Sequence, residues 1–160
     1  MENQNLKFDF VFLGQSVLKY QVPLDIFATI NQIYEQNFHN LAPANGQLVG
    51  KIENEHSLFY HGQDQSKMKN HNMLPANVTN YFMTVFKHYL AFNKIKDYET
   101  HLNSIWVNEM KQHEYNPAHI HRGMLFTGLS SVMILKLPST YGKEYSAEHI
   151  QQNGRLQILG

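Results

Sequence analysis

The hydrophobic pattern of this 160-residue chain changes period near residue 100, and that change limits the fold more than any other feature. Helices repeat their buried face every 3.6 residues and strands every two, so a change of period marks a change of structure. Before residue 100, two stretches follow the helical spacing. Pro23 is pre-set for a first helical turn, and Ile26, Ile30, Ile33 and Phe38 follow it down one face until Pro43, Asn45 and Gly46 end the run. Pro75 opens the second helix, whose stripe is Val78, Phe82, Val85, Tyr89 and Phe92, a face expected to pack on a sheet as core. After Thr100, Leu102, Ser104, Trp106, Asn108 and Met110 alternate with Asn103, Ile105, Val107 and Glu109, as a strand with both faces partly covered would.

Shorter elements fill in the rest. Phe8 to Leu13 is aromatic and β-branched and predicts a first strand, and Leu48 to Ile52 predicts a short second one. The polar stretch from His61 to Asn72 predicts an exposed loop. Leu129 to Leu137 predicts a strand ended by Pro138, Thr140 to Asn153 a polar loop, and Arg155 to Leu159 a last short strand. Two helices followed by strands predict an α+β fold in a single domain over residues 1–160, with a strand-and-helix part at 1–99 and a β part at 100–160.

Thirteen basic residues balance thirteen acidic ones, so no net field points to nucleic acid or to an anionic membrane. No apolar run approaches the roughly 20 residues needed to span a bilayer, and the N-terminus lacks the basic and apolar regions of a signal peptide. The expected location is cytoplasmic, with no membrane partner. The chain has no cysteine, so any metal must be held by nitrogen and oxygen.

Ten histidines are spread along the chain, most in polar surroundings where a solvated imidazole is the ordinary role. His119 and His121 differ. Residues i and i+2 of a strand point to the same side, so this pair presents two imidazoles together, just after the turn-rich His113-Glu114-Tyr115-Asn116-Pro117 and just before Gly123. Neutral imidazole suits iron, zinc, copper and nickel rather than calcium or magnesium. A bare His-x-His is common enough that its neighbours must decide its meaning.

Those neighbours are Trp106-Val-Asn, Tyr115-Asn-Pro-x-His-x-His121 and Leu135-Lys-Leu-Pro138, with Gly46-Gln-Leu-Val-Gly-Lys-Ile52 upstream and Asn153-Gly-Arg-Leu-Gln-Ile158 downstream. Together they resemble the 2-oxoglutarate/Fe(II)-dependent oxygenases of tailed phages of marine bacteria, which are related to the prolyl-hydroxylase-like superfamily. The resemblance implies a double-stranded β-helix (a cupin-like jelly roll) with N-terminal helices packed on the sheet. It also implies Fe(II) as metal, 2-oxoglutarate as small-molecule cosubstrate, and hydroxylation of an unidentified peptide, nucleobase or metabolite, in a host cytoplasm if the gene is a phage's. His119 matches the first metal ligand, and His121 stands where the superfamily has a carboxylate. The distal histidine and the arginine or lysine that pairs with 2-oxoglutarate find no match. After His121 the only histidine is His149, so the third ligand is expected beyond residue 160 and the chain is expected to lack its C-terminal strands.

Other residues near the pair carry lesser roles. Asn108 is a candidate hydrogen-bond donor to a bound 2-oxoacid and Tyr115 a candidate lining residue. Alternatively Trp106 is core, Asn108 caps a turn and Tyr115 packs over its own turn. Arg122 faces away from His121 if the strand continues, and Lys136 is more simply a side chain snorkelling from a strand end. Two rival functions stay open: a cupin-like three-histidine metalloenzyme without 2-oxoglutarate, which suits His121 better, and a non-catalytic phage structural or binding module on the same fold.

Overall fold

Both helices begin at a proline whose backbone is extended and whose carbonyl accepts the first helical hydrogen bonds. Pro23 (φ −57°, ψ 143°) precedes α1, Leu24–Asn37, and Pro75 (φ −70°, ψ 158°) precedes α2, Ala76–Phe92. Phe27 donates to the Pro23 carbonyl at 2.9 Å and Val78 to that of Pro75 at 3.0 Å. No side chain caps either N-terminus, and each proline stands at the N-cap itself, one residue before the first helical position. These are features of a computed structural model that describes residues 6–12, 16–44, 50–60, 73–117, 119, 128–139 and 156.

The described residues form an α+β fold of two helices and two small antiparallel sheets, and those sheets do not close into a barrel. The first sheet is a hairpin of β1, Phe8–Phe12, and β2, Ser16–Tyr20, with Phe8 opposite Tyr20 and Phe12 opposite Ser16. The second sheet has the order β3-β4-β5, from Ala42–Pro43, Asn54–Tyr60 and Ser104–Glu109. After α1 a single 3-10 turn, Phe38–Asn40, leads into β3. Pro43, expected to stop the helix, sits on this edge strand, where its missing N–H costs the sheet least. No helix among the described residues is long and apolar enough to cross a membrane.

The core lies between the helices and one face of the β3-β4-β5 sheet. Ile26 and Ile30 come from α1, Leu41 from the chain after it, Leu58 from β4, Leu74 from the approach to α2, and Val78 and Tyr81 from α2. Ile105 and Val107 of β5 pack against this cluster, as do Phe82 and Val85. The expected α2 stripe therefore divides. Val78, Phe82 and Val85 meet the core, whereas Tyr89 and Phe92 meet the hairpin.

That second contact is hydrogen-bonded as well as aromatic. The Tyr89 hydroxyl donates to the Ser16 carbonyl at 2.9 Å, and Ser16 Oγ donates to Asn93 Oδ1 at 2.5 Å. Tyr20 Oη lies 2.7 Å from His88 Nδ1; burial pushes this phenol up to about 12, so it stays protonated and able to donate. Beyond α2, Ile95 N–H reaches back to the Leu90 carbonyl at 2.9 Å and Lys94 N–H to that of Ala91 at 3.0 Å. This Schellman ending places Lys94 at φ 58°.

Three expectations change here. Of the strand expected over Leu48–Ile52, residues 48 and 49 lie outside the described ones and Lys51 makes an isolated bridge to Tyr115, while a strand not expected from the sequence, Asn54–Tyr60, follows. β4 is hard to read because a bulge between Ser57 and Phe59 shifts its register, so its apolar residues do not alternate cleanly. The strand expected over Leu129–Leu137 makes no ladder with any described strand. Its alternation survives as packing, since Met133 and Leu135 touch the core while Val132 (63%) and Ile134 (52%) stay exposed. The third change is the second strand of the hairpin, Ser16–Tyr20, which adds a strand where none was expected. The loop at 61–72 and most of the last strand lie outside the described residues; Leu156 alone is described there, 59% exposed.

Leu58 has no exposed surface, so Leu58→Ala deletes atoms that only the core contacts. It should lower unfolding free energy by about 2–5 kcal/mol in chemical denaturation. The exposed Ile134→Ala, measured beside it, should change stability by less than about 0.5 kcal/mol.

Candidate functional site

The β4–β5 ladder is interrupted and then resumed, and the interruption positions His119. It runs from Tyr60 opposite Ser104 to Asn54 opposite Glu109. The chain then loops out over Met110–Glu114 and rejoins with Tyr115 opposite Lys51, whose backbones exchange hydrogen bonds of 2.9 and 3.1 Å. Glu114 closes the loop. Its carboxylate accepts from Lys111 N–H at 2.7 Å and from Glu53 N–H at 2.9 Å, so one side chain ties the loop to itself and to the neighbouring strand. His113 inside the loop takes φ 68°. Lys111 Nζ reaches Glu53 at 3.2 Å on the surface, a contact worth little by itself.

Gly50 is the second constraint. A Cβ there would collide with the Tyr115 carbonyl oxygen and lie 2.9 Å from both Asn116 Cα and Pro117 Cδ. Only a residue without a side chain lets the Tyr115-Asn116-Pro117 turn come this close. Beyond that turn, His119 is exposed, with Nδ1 2.7 Å from the Pro117 carbonyl oxygen. A carbonyl only accepts, so Nδ1 carries the hydrogen, and a neutral ring then has its lone pair on Nε2. Metal-binding histidines are commonly oriented in this way, by a backbone carbonyl on the other ring nitrogen.

His121 lies outside the described residues, as do Arg122 and His149, so of the expected pair the structure describes His119. Among the described residues no three His, Asp or Glu side chains gather as a metal would need. Tyr115 is 59% exposed, and its backbone makes the bridge to Lys51. Trp106 is 37% exposed and is not core. It and Asn108 lie on the sheet face opposite to Ile105 and Val107, because β5 alternates and the helices cover the other side. Asn108, inside β5, pairs across the ladder with Glu55 and so does not cap a turn. Tyr115 stands opposite Lys51 and Asn108 opposite Glu55, four strand steps apart, or roughly 13 Å along the sheet. The structure thus gathers Tyr115, Pro117 and His119 locally and leaves Asn108 further along. Lys136 is exposed on the outward parity of its segment.

Sequence reasoning missed three residues. Gly50 and Glu114 set the turn before His119, and the only signals were a glycine facing a turn-rich segment and one acid within it. The third is Glu55, only 6% exposed on the same sheet face as Trp106 and Asn108, where burial pushes its carboxyl up. Nothing in the local sequence marks it as buried.

Two outcomes follow for the turn. Gly50→Ala should cost about 1–3 kcal/mol in thermal or chemical denaturation, since backbone atoms must move to admit the methyl group. For Glu114, the two backbone donors hold the carboxyl below the ordinary glutamate value, with the Lys111 and Lys51 charges adding to them. A carboxyl lowered on folding stabilises above its unfolded value and stops doing so as pH falls through the folded one. Glu114→Gln should therefore be less stable than the parent near neutral pH and equal to it in strong acid, as denaturation curves at both pH values will show. No family model matches the chain, and no curated protein or solved structure matches it.

Proposed function

We propose that this protein is an Fe(II)- and 2-oxoglutarate-dependent oxygenase built on a jelly-roll β-helix, with His119 and His121 as metal ligands. The observation that supports the reading most directly is the orientation of His119. Its Nδ1–H is engaged by the Pro117 carbonyl, which directs the lone pair of the neutral ring to Nε2, a donor that a borderline metal takes up. The donor set fits iron: imidazole nitrogen is present at the candidate position, and with no cysteine in the chain no thiolate competes. When bound, iron with 2-oxoglutarate supplies oxidation of a C–H bond coupled to decarboxylation of the cosubstrate.

The chain's own contribution is positioning. The turn held against Gly50 and the Glu114 clasp fix where His119 leaves the sheet, and Pro117 fixes its tautomer. The two-layer arrangement also supports the reading. Helices cover one face of the β3-β4-β5 sheet and leave Trp106 and Asn108 on the other, as a jelly-roll interior requires for its mouth.

Anaerobic calorimetric titration with Fe(II), and with Ni(II) as a redox-inert probe, tests the ligation. With the full-length protein, the parent should bind one ion, and His119→Ala and His121→Ala should each lower affinity by a hundredfold or more (about 3 kcal/mol). Consumption of 2-oxoglutarate should disappear in both variants; turnover at the parental rate by either one overturns the reading. Metal binding with no binding of 2-oxoglutarate would favour the three-histidine alternative, to which the imidazole at position 121 is suited.

A further inference from the structure

The amino-terminal hairpin has an open edge whose charges are arranged to match a second copy of itself. Gln21 N–H donates to the Lys7 carbonyl at 3.0 Å, so the Lys7–Gln21 pair is a hydrogen-bonded one. In an antiparallel ladder such pairs alternate, so Lys7, Asp9 and Val11 turn their backbone groups toward β2. Phe8, Phe10 and Phe12 then turn theirs toward the other edge, and no described strand pairs with it. A two-stranded sheet is marginal by itself, and an unpaired edge is a template for another strand.

We infer that β1 pairs antiparallel with β1 of a second copy, on a two-fold axis at Phe8, so that Lys7 of each chain faces Asp9 of the other. Charge selects this register. A two-fold at Asp9 would set two carboxylates directly opposite each other, and one at Phe10 would set Asp9 against Val11 and leave the charges unmatched. The two-fold at Phe8 makes Phe8–Phe8 a hydrogen-bonded pair and puts Lys7–Asp9 in the closer, non-hydrogen-bonded position, where side chains meet best. Both Lys7 and Asp9 are exposed, and within its own chain Asp9 already stands opposite Lys19.

The other face of β1 gains from the same pairing. Phe8 and Phe10 remain 37% and 54% exposed although both contact Phe92, at ring-centroid distances of 6.0 and 5.3 Å. Joining two hairpins across Phe8 makes one aromatic stripe of the two exposed ones, with an α2 at each end. Leu6 comes opposite Phe10 of the other copy.

The test is sedimentation velocity on the whole chain, with circular dichroism to verify folding. The parent should show a concentration-dependent monomer–dimer equilibrium. Lys7→Glu sets carboxylate against carboxylate across the two-fold, and Asp9→Lys sets ammonium against ammonium. Each single variant should therefore lose at least about tenfold in association constant. An equimolar mixture of the two should dimerise again, because the pair then joins one chain with acids at both positions to one with lysines at both. Phe10→Pro removes an N–H from the open edge but none from the hairpin's own ladder, and should leave a folded monomer. A parent monomeric at every concentration, a mixture that stays monomeric, or a Phe10→Pro variant that dimerises like the parent each overturns the inference.

Discussion

The structure depends on one apolar cluster, in which Leu58 from the sheet and Val78 from α2 both have no exposed surface. Everything else is arranged around that seam. α1 adds Ile26 and Ile30 to the same cluster, and β5 adds Ile105 and Val107 from beside β4. Non-directional burial of this kind sets which face of the sheet meets the helices, and so which face does not. The bulge at Leu58 follows from the same demand, because an extra residue in β4 lets Leu58 and Phe59 both contribute to the core.

Once one face is committed, the opposite face is defined by exclusion. Glu55, Ser57, Trp106 and Asn108 share it by strand parity, and two of the four, Glu55 and Ser57, are buried polar residues. His119 belongs to the end of this sheet rather than its middle. It follows a turn whose position is set by backbone geometry: a glycine that admits the close approach, a carboxylate that satisfies two N–H groups, and a proline carbonyl that orients the ring.

Much of the scaffold was legible in the amino-acid order. Pro23 and Pro75 announced both helix starts, because a fixed φ and a missing N–H are local properties that no packing overrides. The alternation at 104–109 was legible for the same reason, since the side-chain period of a strand is a property of the backbone. β4 was not, because His56 packs on Phe38 at 4.7 Å while Glu55 and Ser57 are buried, so polar letters hide a central strand. The 129–137 segment shows the converse: its pattern is that of a strand, but pattern alone supplies no partner, and no described strand pairs with it.

His119 was visible in the sequence as a metal-binding type of residue beside a turn, and its pairing with His121 as a spacing. Sequence alone determined the helix starts, the strand parity and the absence of thiolate ligands, since each of these is carried by residue identity at short range. Tertiary structure decided which face of β5 meets the core, that Trp106 is outside it, that Glu55 is buried, and which nitrogen of His119 carries the hydrogen. Most of those outcomes depend on partners far along the chain, Lys51 for Tyr115, Ser57 for Trp106 and Glu53 for Glu114, and no local pattern encodes a partner.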